Sequence, residues 1–265
     1  MNTTAPAPHR NWLGLIITGL VVGIASGLFG VGGGILIVPV LVYLLRYDAK
    51  IASGTSLLAI VLPSVVGVTS YALQGNVDVL LAALLAVGSI VGAPIGSWLL
   101  TKVNRRVLQW IFIGFLIIVI VSLFLVIPSR DAIVHINVWT GVLLVLVGLF
   151  TGVASGLLGI GGGVIVVPVL VLLFGASDLV AKGSSLLMII ATGISGTVAN
   201  VRNKNVDLPG ALAIGLGAAV VTPLGVWLAG ALSPQAANIT FACFLVLVIA
   251  RMAVDAWPRK KGRGA

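Results

Sequence analysis

Long uncharged apolar stretches constrain the fold of this chain more than any other feature. After Arg106 the sequence continues to Ile127 without another charged residue, and a bilayer crossing needs only about 20 apolar residues. Hydrophobic residues make up 60% of the chain and charged residues 8%, against roughly 25% charged residues in a soluble domain. Lipid excludes open sheet edges, and these stretches are too long for barrel strands. The sequence therefore predicts an all-α integral membrane protein.

The net charge of +9 does not indicate a nucleic-acid partner. The basic residues lie between the apolar segments and at the C-terminus, where they act as topology signals. Membrane lipid is an expected partner, and a homodimer stays open. Cys243 is expected to be a small buried hydrophobe. Because His9 and His135 have no other ligand types nearby, we predict no metal, no cofactor and no catalytic residue.

The two halves of the chain repeat each other at an offset of about 129 residues. The segment from Gly23 to Leu41 returns as the segment from Gly152 to Leu170. Shorter matches follow in the same register: Gly54-Thr-Ser with Gly183-Ser-Ser, Asn76-Val-Asp with Asn205-Val-Asp, and Pro94-Ile-Gly with Pro223-Leu-Gly. The chain is therefore an internal duplication.

Each half reads as the same series of apolar segments. They are residues 12–29, 35–45, 51–73, 79–100 and 106–127 in the first half, and 138–158, 164–174, 179–199, 208–232 and 236–256 in the second. This pattern predicts an N-terminal tail (1–11), a first repeat (12–127), a linker (128–137), a second repeat (138–256) and a basic tail (257–265). We expect no cleaved signal peptide, because the first apolar stretch is much longer than a signal-peptide core.

The opening pair of segments in each half does not fit one straight helix. Residues 12–45 would span about 51 Å at about 1.5 Å per residue, against a hydrocarbon core of about 30 Å. The intervening glycines allow the chain to reverse or unwind, so we expect a re-entrant hairpin or a broken helix. With a hairpin, each half makes an odd number of crossings and the halves are inverted. Most basic residues then lie inside, which favours inverted repeats with both termini cytoplasmic over a parallel arrangement.

Inverted repeats with broken helices are typical of secondary transporters, whose substrates bind where the helices break. Gly30-Val-Gly-Gly-Gly and Gly159-Ile-Gly-Gly-Gly each precede a short helix, so free N–H groups and a positive helix end would face the site. This environment suits an anion. The alternative use of such glycines is close helix packing, which fits Gly23 and Gly27 well.

Hydroxyl groups at the start of the following helix form a second candidate group. They could donate to an oxyanion, and Lys182 could add a positive charge; ordinary N-capping and a lysine that snorkels to water are the alternatives. The candidate substrate-binding residues are Gly30, Gly32, Gly33, Gly34, Ser53, Thr55, Ser56, Gly159, Gly161, Gly162, Gly163, Lys182, Ser184 and Ser185.

Further patterns concern the later helices. Pro94 and Pro223 predict a second symmetric helix break, and the nearby Trp98 and Trp227 are expected at the membrane interface. Asp78 and Asp207 are expected to cap helices, each together with the asparagine two residues earlier.

Every acidic residue is an aspartate near a segment end or in a loop, which disfavours a cation substrate. No dyad for intramembrane hydrolysis is evident, so we predict that the chain is not an enzyme.

The glycine-rich repeats, with their following prolines and the Gly-Thr-Ser, Gly-Ser-Ser and Asn-Val-Asp elements, resemble the signature of the TauE/SafE sulfite exporter family. The resemblance implies transport of sulfur-containing anions such as sulfite, sulfoacetate or organosulfonates, usually as export across the cell inner membrane. The leading hypothesis is a secondary carrier that works by alternating access. An anion channel of the same architecture is the first alternative, and a membrane scaffold or intramembrane enzyme is the second.

Overall fold

The fold is described from a computed structural model that covers residues 11–100, isolated positions between 110 and 134, and residues 136–256. The helices are α1 (Trp12–Phe29), α2 (Gly34–Pro39), α3 (Ala49–Ala59), α4 (Val61–Ala72), α5 (Val79–Leu99), α6 (Val138–Leu158), α7 (Gly163–Phe174), α8 (Asp178–Arg202), α9 (Leu208–Ala231) and α10 (Pro234–Ala256). A π-helical turn, Val40–Leu44, continues α2. Most of the predicted helix 106–127 and of the linker, and nearly all of both predicted tails, lie outside the described residues.

Seven helical spans within the described residues are long and apolar enough to cross a membrane by length and composition. They are α1, the consecutive pair α3 and α4, and then α5, α6, α8, α9 and α10. No strand occurs in this part of the chain. The prediction of an all-α membrane protein is confirmed for the residues that the structure describes.

Matching signals begin and end the first helix of each half. Asn11 accepts a hydrogen bond from the Gly14 N–H at 3.0 Å and caps α1, and Asn137 accepts from the Thr140 N–H at 2.9 Å and caps α6. Both helices end at a glycine in the left-handed conformation. The predicted interruption after the first apolar segment is therefore present in both halves.

Small residues let two pairs of helices approach until their backbones touch. A Cβ atom added at Gly23 would overlap the Ala218 carbonyl oxygen, and one added at Gly92 would overlap that of Leu149. The contacts along α1 and α9 are Gly19 with Ile214, Gly23 with Ala218 and Gly27 with Thr222; those along α5 and α6 are Gly88 with Val145, Gly92 with Leu149 and Gly96 with Val153. Residue numbers rise together in each series, so each pair of helices runs in the same direction.

The second crossing helix of each half, α4 in the first and α8 in the second, lies between these pairs. Hydrogen bonds join Ser89 to Thr192 and Ser97 to Asn200, so α5 and α8 run in the same direction. Contacts of Gly215 with Leu62 and of Thr222 with Gly67 show that α4 runs along α9 in the same direction. Val61 meets Gly193 whereas Gly67 meets Leu186, so α4 and α8 run in opposite directions. Thus α1, α4 and α9 point one way, and α5, α6 and α8 point the other way.

Two expectations about the later helices are wrong. The chain stays helical through Pro94 in α5 and through Pro223 in α9. In α5 the reason is visible: proline removes the N–H donor for the Ile90 carbonyl, and the Ser195 hydroxyl donates to that carbonyl at 2.7 Å instead. Cys243 is exposed rather than buried. An apolar side chain on an outer helix face meets lipid, which is as apolar as a protein core, so burial is not required.

We expect Gly92→Ala to destabilise the chain, because the new methyl group meets the backbone of α6 and the two helices must separate. Overpacking of this kind costs about 1–3 kcal/mol. Thermal unfolding of the purified protein in detergent measures the effect.

Gly141→Ala in α6 is the matched control, since the nearest atom to the added Cβ, Leu84 Cδ1, lies 3.8 Å away. Equal melting temperatures for the two variants would show that the α5 and α6 backbones are not in contact.

Candidate functional site

The glycine-rich loops of the two halves lie against each other at the centre of the molecule. A Cβ atom added at Gly34 would lie 2.6 Å from the Gly159 carbonyl oxygen, and one added at Gly163 would lie 2.5 Å from that of Gly30. Gly30, Gly32, Gly33, Gly159, Gly161 and Gly162 have φ values of 68°, 73°, 78°, 70°, 85° and 87°. Other residues rarely adopt this conformation. The loops therefore require glycine for both their conformation and their close approach.

Each loop leads directly into a short helix. Gly33 and Gly162 are the N-caps of α2 and α7, and glycine has no side chain that could accept from the first-turn amides. The backbone N–H groups and the positive end of each short helix therefore face the region where the loops meet. Ile60 and Ile189, which occupy equivalent positions in the two halves, cover Gly32 and Gly161.

Two predicted hydroxyls hold the loops in place. Ser56 Oγ donates to the Gly159 carbonyl and Ser185 Oγ donates to the Gly30 carbonyl, each at 2.6 Å. Both serines are fully buried. Each bond links one half of the chain to the other, so these hydroxyls serve loop carbonyls in this conformation.

Thr55 and Ser184 connect the same region to the start of the next helix. Each hydroxyl oxygen accepts at 2.9 Å from a backbone N–H of the opposite half, that of Asp207 for Thr55 and that of Asp78 for Ser184. These two contacts are also exchanged symmetrically between the halves.

The two aspartates do not behave alike. The carboxylate of Asp78 accepts from the Leu81 N–H at 3.0 Å, which confirms the predicted cap of α5. Asp207 occupies the N-cap position of α9, as predicted, but its side chain makes no capping hydrogen bond and accepts instead from the Tyr47 hydroxyl at 2.8 Å. The residue that corresponds to Tyr47 in the second half is Ala176, which has no hydroxyl. Asp78 therefore has no equivalent tyrosine partner, and its carboxylate caps α5.

Ser53 and Lys182 occupy equivalent positions and differ in their chemistry. The Ser53 side chain lies against Gly159 and the backbone of Lys182 lies against Gly30. Ser53 Oγ is buried and has no hydrogen-bond partner. Lys182 is only 5% exposed, and its Nζ forms an ion pair with Asp178 Oδ2 at 3.1 Å. The alternative of a lysine that snorkels to water is wrong, because an aspartate one turn earlier on α8 supplies its counter-charge.

Comparison with known proteins identifies the family of the chain. The family model described as sulfite exporter TauE/SafE matches residues 2–123 and 144–265. The chain belongs to the TauE/SafE family. It is 33% identical to a probable membrane transporter protein of Xylella fastidiosa strain 9a5c over 202 residues, covering 73% of this chain and 76% of that protein. It is 29% identical to the probable membrane transporter protein YunE of Bacillus subtilis over 227 residues, covering 77% and 83% of the two chains. With the seven apolar spans, these likenesses indicate a multi-pass membrane protein of a transporter family.

The structure of this TauE/SafE chain adds buried polar residues that sequence reasoning missed. Ser26 and Ser155 lie one turn before the two loops, and their hydroxyls are buried without a hydrogen-bond partner. The Tyr71 hydroxyl donates to the Gly27 carbonyl at 2.7 Å, and its counterpart Asn200 donates to Ser97 at 3.0 Å. The paired serines could have been found because both repeats carry them. Tyr71 and Asn200 differ in residue type, so the repeat gave no signal there.

Among the described residues no group of three or more His, Cys, Asp or Glu side chains could hold a metal ion. The polar groups around the glycine loops are hydroxyls, amides, carbonyls and one buried ion pair. The arrangement can therefore offer hydrogen-bond donors and one cation to a ligand.

We expect Asp178→Ala to be strongly destabilising, because it leaves the Lys182 ammonium buried without its carboxylate. Breaking a buried ion pair from one side costs about 3–5 kcal/mol. The double change Asp178→Ala with Lys182→Ser introduces the residues found at the equivalent positions of the first half, Ala49 and Ser53. It should restore most of the stability, because no buried charge is left.

Chemical or thermal unfolding in detergent distinguishes the single from the double variant. If the double variant is as unstable as Asp178→Ala, the loss does not arise from the uncompensated lysine.

Proposed function

We propose that the chain is a secondary transporter that exports small sulfur-containing anions, such as sulfite, sulfoacetate or organosulfonates, by alternating access. The observation that carries this proposal is the meeting of two glycine loops at which two short helices begin. Their N–H groups and positive ends converge on one buried region, which is an environment for an anion. Family membership supports the sulfur-containing substrate class.

The proposed mechanism requires two halves of inverted topology. Equivalent helices of the two halves, α1 and α6, α4 and α8, and α5 and α9, point in opposite directions in the contacts described above, which supports inverted repeats. In such carriers one half rocks against the other around a central site. By the distribution of basic residues we propose that both termini are cytoplasmic and that the chain lies in the inner membrane.

The proposed anion site includes all the candidate substrate-binding residues predicted from the sequence. They have two different roles. The glycine loops and Lys182 would contact the anion, and Ser53 has a buried hydroxyl with unused hydrogen-bonding capacity. Ser56, Ser185, Thr55 and Ser184 would act in part by holding the loops, since each is bonded to backbone of the opposite half. Ser26 and Ser155 extend the proposed set.

A carrier is favoured over an anion channel by the packing at the centre. The loops touch each other, and Ile60 and Ile189 cover them, so the centre is closed in this conformation. A carrier passes through a closed state of this kind in each cycle, so the packing supports a carrier, and flux measurements distinguish it from a channel with a closed gate. The proposed partners are the anion and membrane lipid, with a homodimer as an open alternative to a monomer. We propose no enzymatic activity.

Thermal shift of the purified protein with a panel of anions tests the substrate class. The panel is sulfite, sulfoacetate, taurine, sulfate and acetate. We expect stabilisation by the sulfite and sulfonate anions, because a ligand that binds only the folded state adds about 2.7 kcal/mol at 100 times its Kd. Acetate is the control for general anion effects, and equal stabilisation by acetate and sulfite would contradict the proposed selectivity.

Counterflow of labelled substrate in proteoliposomes then separates the two transport modes. A carrier exchanges external for internal substrate and saturates, whereas flux through a channel follows the electrochemical gradient. Gradient-driven flux without exchange would replace the carrier by the channel.

The double variant Ser56→Ala with Ser185→Ala should bind the anion more weakly while it remains folded. Each change leaves a loop carbonyl without its buried donor, and a typical hydrogen bond contributes about 1 kcal/mol, so a loss of about tenfold in affinity is expected. Isothermal titration calorimetry with the best anion of the panel measures the change.

Thr69→Ala with Ser70→Ala is the matched control, since those hydroxyls bond only to carbonyls of their own helix, Val65 and Val66. Unchanged affinity in the folded Ser56 and Ser185 variant would remove the two hydroxyls from the site.

A further inference from the structure

The buried ion pair of α8 lies directly beside one of the glycine loops. Asp178 and Lys182 are 3% and 5% exposed. The Cα atom of Lys182 would lie 2.6 Å from a Cβ atom added at Gly30. Ser185 Oγ lies 2.6 Å from the Gly30 carbonyl oxygen and 2.8 Å from the Lys182 carbonyl oxygen, so its single proton is shared between these two acceptors. One turn of α8 therefore carries the lysine and also holds the loop.

An anion that binds beside Lys182 changes the balance of charge in this region. In the structure the ammonium of Lys182 forms an ion pair with the carboxylate of Asp178. A singly charged anion adds a second negative charge, so that one cation then faces two anions in a place from which water is excluded. Such an uncompensated buried charge is strongly disfavoured. A proton on the Asp178 carboxylate would remove the excess charge.

We propose that Asp178 is a proton-binding site coupled to the anion site, so that the transporter moves one proton with each singly charged anion. The proposal rests on the proposed function, because it requires an anion at Lys182. When the anion becomes the counter-ion of Lys182, Asp178 takes a proton from water on the side to which the site is open. When the anion leaves, the proton leaves and the ion pair forms again. Transport of a singly charged anion is then electroneutral.

The other titratable side chains near Asp178 either make hydrogen bonds of their own or lie away from it. Tyr71 of α4 lies next to α8, since a Cβ atom added at Gly183 would be 3.0 Å from the Tyr71 Cβ. Its hydroxyl donates to the Gly27 carbonyl. The carboxylate of Asp78 accepts from the first turn of α5. Helices α5, α6 and α7 carry no titratable side chain. In α3, Lys50 is exposed, and that helix meets the far end of α8, where Gly54 lies against Asn200.

The duplication confines this proton site to one half of the chain. The first half has Ala49 and Ser53 where the second half has Asp178 and Lys182. Equivalent positions have the same relation to the glycine loops, so the first half provides a natural example of the site without charges. Asp48, an exposed aspartate that caps α3 at the corresponding helix start, provides a matched control.

The test uses the purified full chain and methanesulfonate, which keeps a single negative charge between pH 5.5 and 8.5. We expect its Kd to rise about tenfold for each pH unit, because binding takes up one proton. A pH indicator in weakly buffered solution should record one proton taken up for each anion bound. In Asp178→Asn, which resembles the protonated aspartate, the Kd should be independent of pH and proton uptake should be lost. Asp48→Asn should behave like the unmodified protein.

Each outcome separates this proposal from the proposed function. Binding of methanesulfonate by the unmodified protein without proton uptake overturns the proton site and leaves anion transport standing. Proton uptake that persists in Asp178→Asn moves the site to another residue and overturns the assignment. Absence of binding by methanesulfonate and by every anion of the panel overturns the proposed function itself. If Asp178→Asn does not fold, the unmodified protein and Asp178→Glu, which keeps a titratable carboxylate, decide the matter: both should take up one proton for each anion bound, and binding without proton uptake overturns the proposal.

Discussion

Backbone polar groups inside a bilayer need partners within the protein, and this requirement is hardest to meet where a helix is interrupted. Both interruptions in this chain meet it in the same way. The carbonyl of Gly30 accepts from Ser185 and the carbonyl of Gly159 accepts from Ser56. Each half therefore supplies the donor that the loop of the other half requires. Because neither loop is satisfied alone, the broken helices depend on the packing of one half against the other.

The same contacts explain why so many glycines are needed outside the loops. Serine hydroxyls are short, so they reach the opposite loop only if the helix backbones approach closely. Gly23 against Ala218 and Gly92 against Leu149 provide that approach on the two sides of the molecule. A motion of one half relative to the other would have to exchange the serine contacts for others, such as contacts with a bound anion. The hydroxyls that hold the loops are thus placed where a ligand could compete for them.

Much of the fold could be predicted from the sequence, because its main signals are local or repeated. The first helix has the predicted bounds, Trp12–Phe29, and the break before Gly34 follows from glycine chemistry. The errors arose where a distant residue decides the outcome. Pro94 does not interrupt α5, because Ser195 of another helix satisfies the freed carbonyl. The repeat placed the proposed hydroxyl residues near the loops, but their hydrogen-bond partners lie 103 to 155 residues away along the chain, and no local pattern identifies them.

The differences between the halves follow a physical rule. The hydroxyls that donate to the loop carbonyls are the same in both halves, Ser56 and Ser185, because both loops need the same donor. The buried ion pair beside the loops has no counterpart in the first half, since Asp178 and Lys182 correspond to Ala49 and Ser53. A single anion held between two loops requires only one cation. A second lysine at position 53 would be buried without a counter-charge whenever one anion was bound, and that arrangement is costly. Both halves therefore provide the same frame around the centre, and the proposed binding of a single anion would favour an asymmetric pair of side chains within it.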